Sequence, residues 1–213
     1  STMPRYLHTV TAALVTGVSS AIGAACAAAL ARRGYRVLGT ARRPAGDHLI
    51  IDGERIDMLA LDVTDAASVD AAIATVIARA GRIDVLVNNA GITVVGAAEE
   101  VSDAEARAVV ETNFLGVHRM TRAVLPFMRE RGSGRIVTIG SVAGFLPKPF
   151  EAFYSATKHA IEGYMESVHH EVRELGIRVS IVEPGYVRTG FSDHAAGSER
   201  RIAADGEPRA IIE

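Results

Sequence analysis

Tyr154 and Lys158 stand four residues apart, the spacing that places two side chains on one face of a helix. A phenol with its ordinary pKa of about 10 exchanges protons poorly at neutral pH, and an adjacent ammonium favours the phenolate. Bringing that pKa within reach of neutrality corresponds to roughly 3–4 kcal/mol of differential stabilisation, and Lys158 is the obvious source. Thirteen residues before the tyrosine lies Ser141, in Gly140-Ser141-Val142-Ala143-Gly144, a hydroxyl suited to hydrogen-bonding the same reacting oxygen. Taken alone, the Tyr–Lys pair reads better as two solvated side chains on a helix surface.

A second group of residues suits an anion. Thr16-Gly17-Val18-Ser19-Ser20-Ala21-Ile22-Gly23 reads as the turn between a strand and an alanine-rich helix. Glycines there let the backbone approach a phosphate, and the helix start offers N–H groups and the positive end of its dipole. Gly17, Ser19, Ser20, Ile22 and Gly23 are the candidate contacts, although an ordinary turn would look the same. About twenty residues on, where an NAD site carries a carboxylate, the chain has Arg42 and Arg43. A guanidinium binds a 2′-phosphate at two points, whereas a carboxylate repels it, so these residues predict NADP(H). Two solvated arginines in a turn are the alternative. Asp62 and Val63 follow the third strand and are placed to flank an adenine; a cap for the next helix explains Asp62 almost as well.

The elements that must position these residues alternate along the chain. Strands are expected at Thr9 to Val15, Tyr35 to Gly39, Asp57 to Leu61, Ile83 to Val87, Arg135 to Ile139 and Ile177 to Val182. Helices are expected from Ala21 to Arg33, from the Asp65 cap to Gly81, from the capping box at Ser102-Asp103-Ala104-Glu105, from Phe114 to Arg131 with a kink at Pro126, and from Ala152 to Leu175. This alternation implies an α/β fold, a doubly wound parallel sheet of the Rossmann type with helices on both faces, three layers α/β/α. No linker or repeat interrupts residues 1–213, which read as one domain.

Composition excludes several classes. Lys+Arg of 23 against Asp+Glu of 25 gives a net charge of −2, so no basic face for nucleic acid or an acidic membrane is expected. Aromatic residues make up only 5% of the chain, which leaves no stacking platform for bases. Thr9 to Ala31 runs without charge, but its polar, glycine-containing centre and its alanines argue for strand, turn and helix over a membrane span or a secretory signal. The single cysteine, Cys26, cannot form an internal disulfide; it reads as core packing in a reducing, cytoplasmic setting. His169 and His170 are adjacent on a helix and diverge by about 100°, so no metal site is expected.

Thr16 to Gly23, Asn88-Asn89-Ala90-Gly91, Asn113, Ser141, Tyr154-x-x-x-Lys158 and Pro184-Gly185 occur in the order and spacing of the short-chain dehydrogenase/reductase family, and the resemblance covers about Thr9 to Thr189. It implies hydride transfer between NADP(H) and a small-molecule carbonyl or secondary alcohol, with Tyr154 as general acid or base and Ser141 steadying the reacting oxygen. Lys158 would lower the tyrosine pKa and hold the nicotinamide ribose. Asn113 is similar to the family asparagine that holds a proton-relay water, with a helix cap or kink as its plainer reading. Asn88, Ala90 and Gly91 resemble the segment lining the adenosine ribose, and Pro184, Gly185, Val187 and Thr189 the carboxamide site. The resemblance also implies a homodimer or homotetramer built on the helices Asn113 to Arg131 and Ala152 to Leu175. Two departures stand out: Ala21 replaces a family glycine, and residues 187–213 read as an incomplete substrate lid without the family's final helix and strand. A cofactor-sensing protein without turnover is the rival reading, and a methyltransferase on a similar sheet a second.

Overall fold

Ala12–Val15 forms β1, in which every residue is buried, because the strand runs through the middle of a sheet between β2 (Arg36–Ala41) and β5 (Val85–Asn88). The structure, a computed structural model, describes residues 11–185, residue 187 and the backbone of 196–197. With β3 (His48–Ile51), β4 (Glu54–Ala60), β7 (Gly134–Ile139) and β8 (Ile177–Val182), the sheet has seven strands in the order β3-β4-β2-β1-β5-β7-β8. All pairings are parallel except β3 with β4. The chain builds outward from β1 on one side and then returns to build outward on the other, leaving a crevice between the carboxyl ends of β1 and β5.

Side chains alternate across the strands with period two. Leu14, Leu38, Leu86 and Ile136 face α2 (Ala66–Ala80), α4 (Gly116–Arg131) and α5 (Ala152–Val172), meeting Ile73, Val76, Met120, Val124, Ile161 and Met165. Ala13, Val15, Val37, Val85 and Val87 face the opposite way, toward α1 (Ala21–Arg32) and its Ala27. Ser20 caps α1, Asp65 caps α2, and Ser102 and Glu105 make the expected capping box at the start of α3 (Asp103–Val110). The doubly wound α/β arrangement is the one expected.

Three local features differ from expectation. The stretch before Asp57 forms a hairpin: β3 pairs antiparallel with a longer β4 across Asp52 (φ 50°) and Gly53 (φ 82°), a left-handed pair that an Asp-Gly turn supplies. The two helical segments around Asn113 are one continuous run from Asp103 to Arg131, joined by a π-helical turn at Glu111–Leu115. Pro126 sits inside α4 without ending it. Finally α5 stops at Val172, and Arg173–Leu175 tightens into a 3₁₀ turn. A short parallel pair, β6 (Val94–Val95) with β9 (Ala196–Gly197), lies apart from the main sheet. Thr189 and most of the expected lid lie outside the described residues.

Candidate active site

The turn after β1 is held from below. Thr16 donates its hydroxyl to Val87 O (3.3 Å) and accepts from the N–H groups of Asn89 (2.9 Å) and Ala90 (3.0 Å), so the turns after β1 and β5 are tied together. The Asn89 amide donates to Thr16 O (2.8 Å), Gly17 O (2.9 Å) and Ser20 Oγ (3.1 Å). Gly17 has φ +70°, and a Cβ there would come within 3.0 Å of Ala90 Cα, so the position requires glycine on both counts. Ser20 Oγ accepts from Gly23 N–H (3.2 Å) and fixes the start of α1 beside a cleft of about 1060 Å³.

Gly17, Ser19, Ser20 and Ile22 line that cleft, as do Ala90, Gly91, Asp62, Val63, Pro184, Gly185 and Val187. Gly23 does not. A Cβ at Gly23 would collide with Gly17 O and reach 2.5 Å from Asn89 Nδ2, so this glycine serves close packing beneath the turn. Asn88 also stands off the cleft wall. Strand alternation turns its amide inward toward Thr121 Oγ1 (3.4 Å) and Thr138 Oγ1 (3.3 Å), and the next residue, Asn89, lines the cleft instead. Arg42 lines the cleft, whereas Arg43 is exposed outside it.

Asp62 makes no helix cap, since that role belongs to Asp65; it accepts from Thr64 N–H (2.9 Å) and Thr64 Oγ (2.7 Å) in a local turn. Those two hydrogen bonds, with Arg42 and Arg119 nearby, outweigh burial and hold its carboxyl below the usual range. Arg119 also lines the cleft, paired with Glu111 across the π turn (2.6 Å). Nothing in the sequence pattern singled it out.

At the other end of the cleft Ser141, Tyr154 and Lys158 converge. Ser141 lies two residues past β7 in extended backbone, its Oγ accepting from Ala143 N–H (3.1 Å) and meeting the Tyr154 phenol in a hydrogen bond. Lys158 is buried; its Nζ donates to Ile139 O (2.7 Å) and lies 5.5 Å from the centre of the Tyr154 ring. Burial lowers the lysine pKa to about 8, against the opposing charge of Glu162. Burial raises the Tyr154 pKa, with Glu151 adding to the rise and Ser141 and Lys148 opposing it. The net direction is thus opposite to the lowering expected from Lys158, and burial is its largest cause. Lys148 and Glu151 form an ion pair (2.6 Å) on the cleft wall, another feature the sequence pattern did not mark.

Asn113 lies in the π turn, buried, and is not part of the cleft wall. Its Oδ1 accepts from Ile92 N–H (2.8 Å), while Nδ2 donates to Ile92 O (2.8 Å) and Thr157 Oγ1 (3.3 Å). The amide thus joins the segment after β5 to α5, and both its hydrogens are committed. Among the described residues no group of three or more His, Cys, Asp or Glu is placed to hold a metal, and no helix is long and apolar enough to cross a membrane.

Comparison with known proteins agrees with this geometry. The model of the short chain dehydrogenase family matches residues 11–199. The chain is 41% identical over 186 residues to 3-ketodihydrosphingosine reductase of Bacteroides thetaiotaomicron, which covers 87% of this chain and 67% of that protein. Among solved structures, a short-chain dehydrogenase from Streptomyces avermitilis superposes with TM-score 0.81 at 44% identity, covering 91% of this chain and 74% of the other. A variant actinorhodin polyketide ketoreductase with NADPH superposes with TM-score 0.79 at 39% identity, covering 84% and 72%. A doubly wound sheet, a glycine turn facing a cleft and a match across most of its length together place this chain in the short-chain dehydrogenase family.

Proposed function

We propose that this protein is an NADP(H)-dependent reductase or dehydrogenase that interconverts a small-molecule ketone or aldehyde and its alcohol. The observation that carries the reading is the meeting of Ser141, Tyr154 and Lys158 at one end of a cleft whose other end holds Arg42. At about 1060 Å³ the cleft exceeds the roughly 300–1,000 Å³ usual for one small ligand, in keeping with a dinucleotide and a substrate together. The residues fit the cofactor. The start of α1 opens onto the cleft through Gly17, Ser19, Ser20 and Ile22 for a pyrophosphate, Arg42 suits a 2′-phosphate, and Asp62, Val63, Ala90 and Gly91 lie between. Pro184, Gly185 and Val187 border the reacting end, on the same wall as Lys158.

Bound there, the cofactor supplies or accepts a hydride. Everything else is the work of the chain. Tyr154 gives the proton to the carbonyl oxygen during reduction, and its burial favours the protonated phenol that this direction needs. Ser141 donates to the same oxygen as negative charge develops on it. Lys158, with a pKa near 8, passes a proton back toward the phenolate. Asn113 acts as a positioning residue, fixing α5 through Thr157 and the segment at Ile92.

NADPH consumption against a panel of ketones and aldehydes tests the reading. Tyr154→Phe is expected to lower the rate by about 10²- to 10⁴-fold, and equal rates would remove the mechanism. A protein that only senses the cofactor would bind NADPH and show no such contrast. For cofactor choice, Arg42→Ala should weaken NADPH binding about tenfold relative to NADH, roughly 1.4 kcal/mol. An unchanged preference would discard the arginine reading. We also propose a single domain that works in the cytoplasm as a homodimer or homotetramer through α4 and α5, where Leu125, Phe127 and Tyr164 are only partly buried.

A further inference from the structure

Behind the reacting end of the cleft sits a carboxyl group that the mechanism above does not use. Glu162 lies one helical turn beyond Lys158 on α5, and its Oε1 is buried without a hydrogen-bond partner. Two glycines make room for it. A Cβ on Gly140 would lie 2.9 Å from that oxygen, and a Cβ on Gly144 would lie 2.9 Å from it as well. Glu162 thus fills the space under the turn that carries Ser141. Its carboxyl lies near that of Glu183, an exposed residue just past β8 and immediately before the cleft residues Pro184 and Gly185. The same two segments touch through the backbone, Gly140 N–H to Val182 O (2.8 Å) and Val142 N–H to Pro184 O (3.1 Å).

We propose that Glu162 is a positioning residue of the active site: filling the space beneath Gly140 and Gly144, it fastens α5 under the Ser141 turn and steadies that turn against the segment leading into Pro184 and Gly185. The groups facing Glu162 are Glu183 from just past β8 and Glu166 and Lys158 from its own helix; the Gly140–Gly144 turn presents no titratable side chain. Burial is the largest influence and raises the Glu162 pKa, the two glutamates add to the rise, and Lys158 opposes it.

The sign of the pH effect follows. A carboxyl whose pKa is raised by folding contributes stability that is complete below its unfolded value of about 4.3, and that stability is lost as pH rises through the folded value. The test is thermal unfolding of the whole chain between pH 4 and 9 for the parent, Glu162→Gln and Glu162→Ala, with kcat/KM against pH on any ketone the parent reduces. Glutamine fills the same space without a charge, so its Tm should gain on the parent by ~3 °C as pH rises and Glu162 ionises. Its kcat/KM near neutrality should stay within about threefold of the parent and hold to higher pH, while Glu162→Ala loses about tenfold. Parallel Tm curves for parent and Glu162→Gln, or an alanine variant as active as the glutamine one, would overturn the proposal. The positioning of a catalytic site rests on the reductase reading, but the stability arm needs no turnover, so failure of one is distinguishable from failure of the other.

Discussion

The two ends of the parallel sheet treat buried charge in opposite ways. At the amino end, Asp84 accepts from Ala12 N–H (2.7 Å) and from Arg82 Nε (2.7 Å), makes a second contact with Arg82, and lies 3.5 Å from Arg131. Burial alone would raise its pKa, yet the hydrogen bonds from Arg82 and Ala12 and the charges of Arg82 and Arg131 outweigh it and hold the carboxylate ionised. At the carboxyl end, burial wins. Lys158, Tyr154 and Glu162 are each displaced toward their neutral forms. Both ends are desolvated, so the difference lies in the partners. One end gives its charge matched donors, and the other leaves groups poised to exchange protons, as a working site needs.

The sharpest way to break this contrast is to neutralise one charge at each end. Lys158→Met should lower kcat/KM by about 10³-fold. Because a buried ammonium is replaced by an apolar chain of similar shape, stability should stay level or rise by about 1 kcal/mol. A variant that unfolds more easily would show the lysine to be a structural group after all.

Asp84→Ala carries the opposite expectation. It leaves Ala12 N–H and the Arg82 guanidinium without their acceptor, at a cost of about 2 kcal/mol, or a fall in Tm of roughly 4–8 °C, with kcat/KM of the folded protein unchanged. Loss of turnover with an intact Tm would erase the division between the ends.

The pH dependence separates the ends again. The Asp84 contribution is complete above its unfolded pKa of about 3.9 and is lost as pH falls through the lower folded value, so it belongs to the acid limb. Lys158 belongs to the alkaline limb. With its pKa lowered to about 8, the folded protein releases a proton that the unfolded chain keeps until about 10.4, so the strain of burying the ammonium is relieved as pH rises across that interval. The stability of Lys158→Met relative to the parent should therefore narrow above pH 8 in chemical denaturation. A constant difference across that interval would contradict the lowered lysine pKa.

Which parts of this were legible in the sequence follows from the range of the forces involved. The alternation of strands and helices and the caps of α2 and α3 are written in periodicity and in residues two to four apart, as Ser102 and Glu105 illustrate. Tyr154 and Lys158 are fixed by helix geometry, so their shared face is local information. The π turn is different: it arises where Asn113 must reach Ile92 and Thr157, partners 21 and 44 residues away. Asn88 and Asn89 are adjacent and alike in chemistry, and only strand pairing decides which one turns toward the cleft. The Tyr154 pKa went the other way from expectation because spacing brings Lys158 near the phenol but says nothing of how far the fold buries that phenol. Glu162 needs two glycines and a strand end from outside its helix to acquire meaning.

The smallest expected effect supplies the control. The β3–β4 hairpin lies at the sheet edge, away from both charge networks, and turns through Asp52 and Gly53 in left-handed backbone. A Cβ on Gly53 would meet nothing within 4 Å, so Gly53→Ala reports the backbone penalty alone. At φ +82° that penalty is about 1 kcal/mol, which should lower Tm by roughly 2–4 °C and leave kcat/KM, NADPH affinity and the shape of the pH profile as they were. Asp52→Gly, which relaxes the neighbouring left-handed position, should change Tm less than Gly53→Ala does, since glycine reaches that conformation without a clash. If either hairpin variant altered the pH profile, the separation of the charge networks from the sheet edge would fail, and the opposite treatment of charge at the two ends could no longer be assigned to their immediate partners.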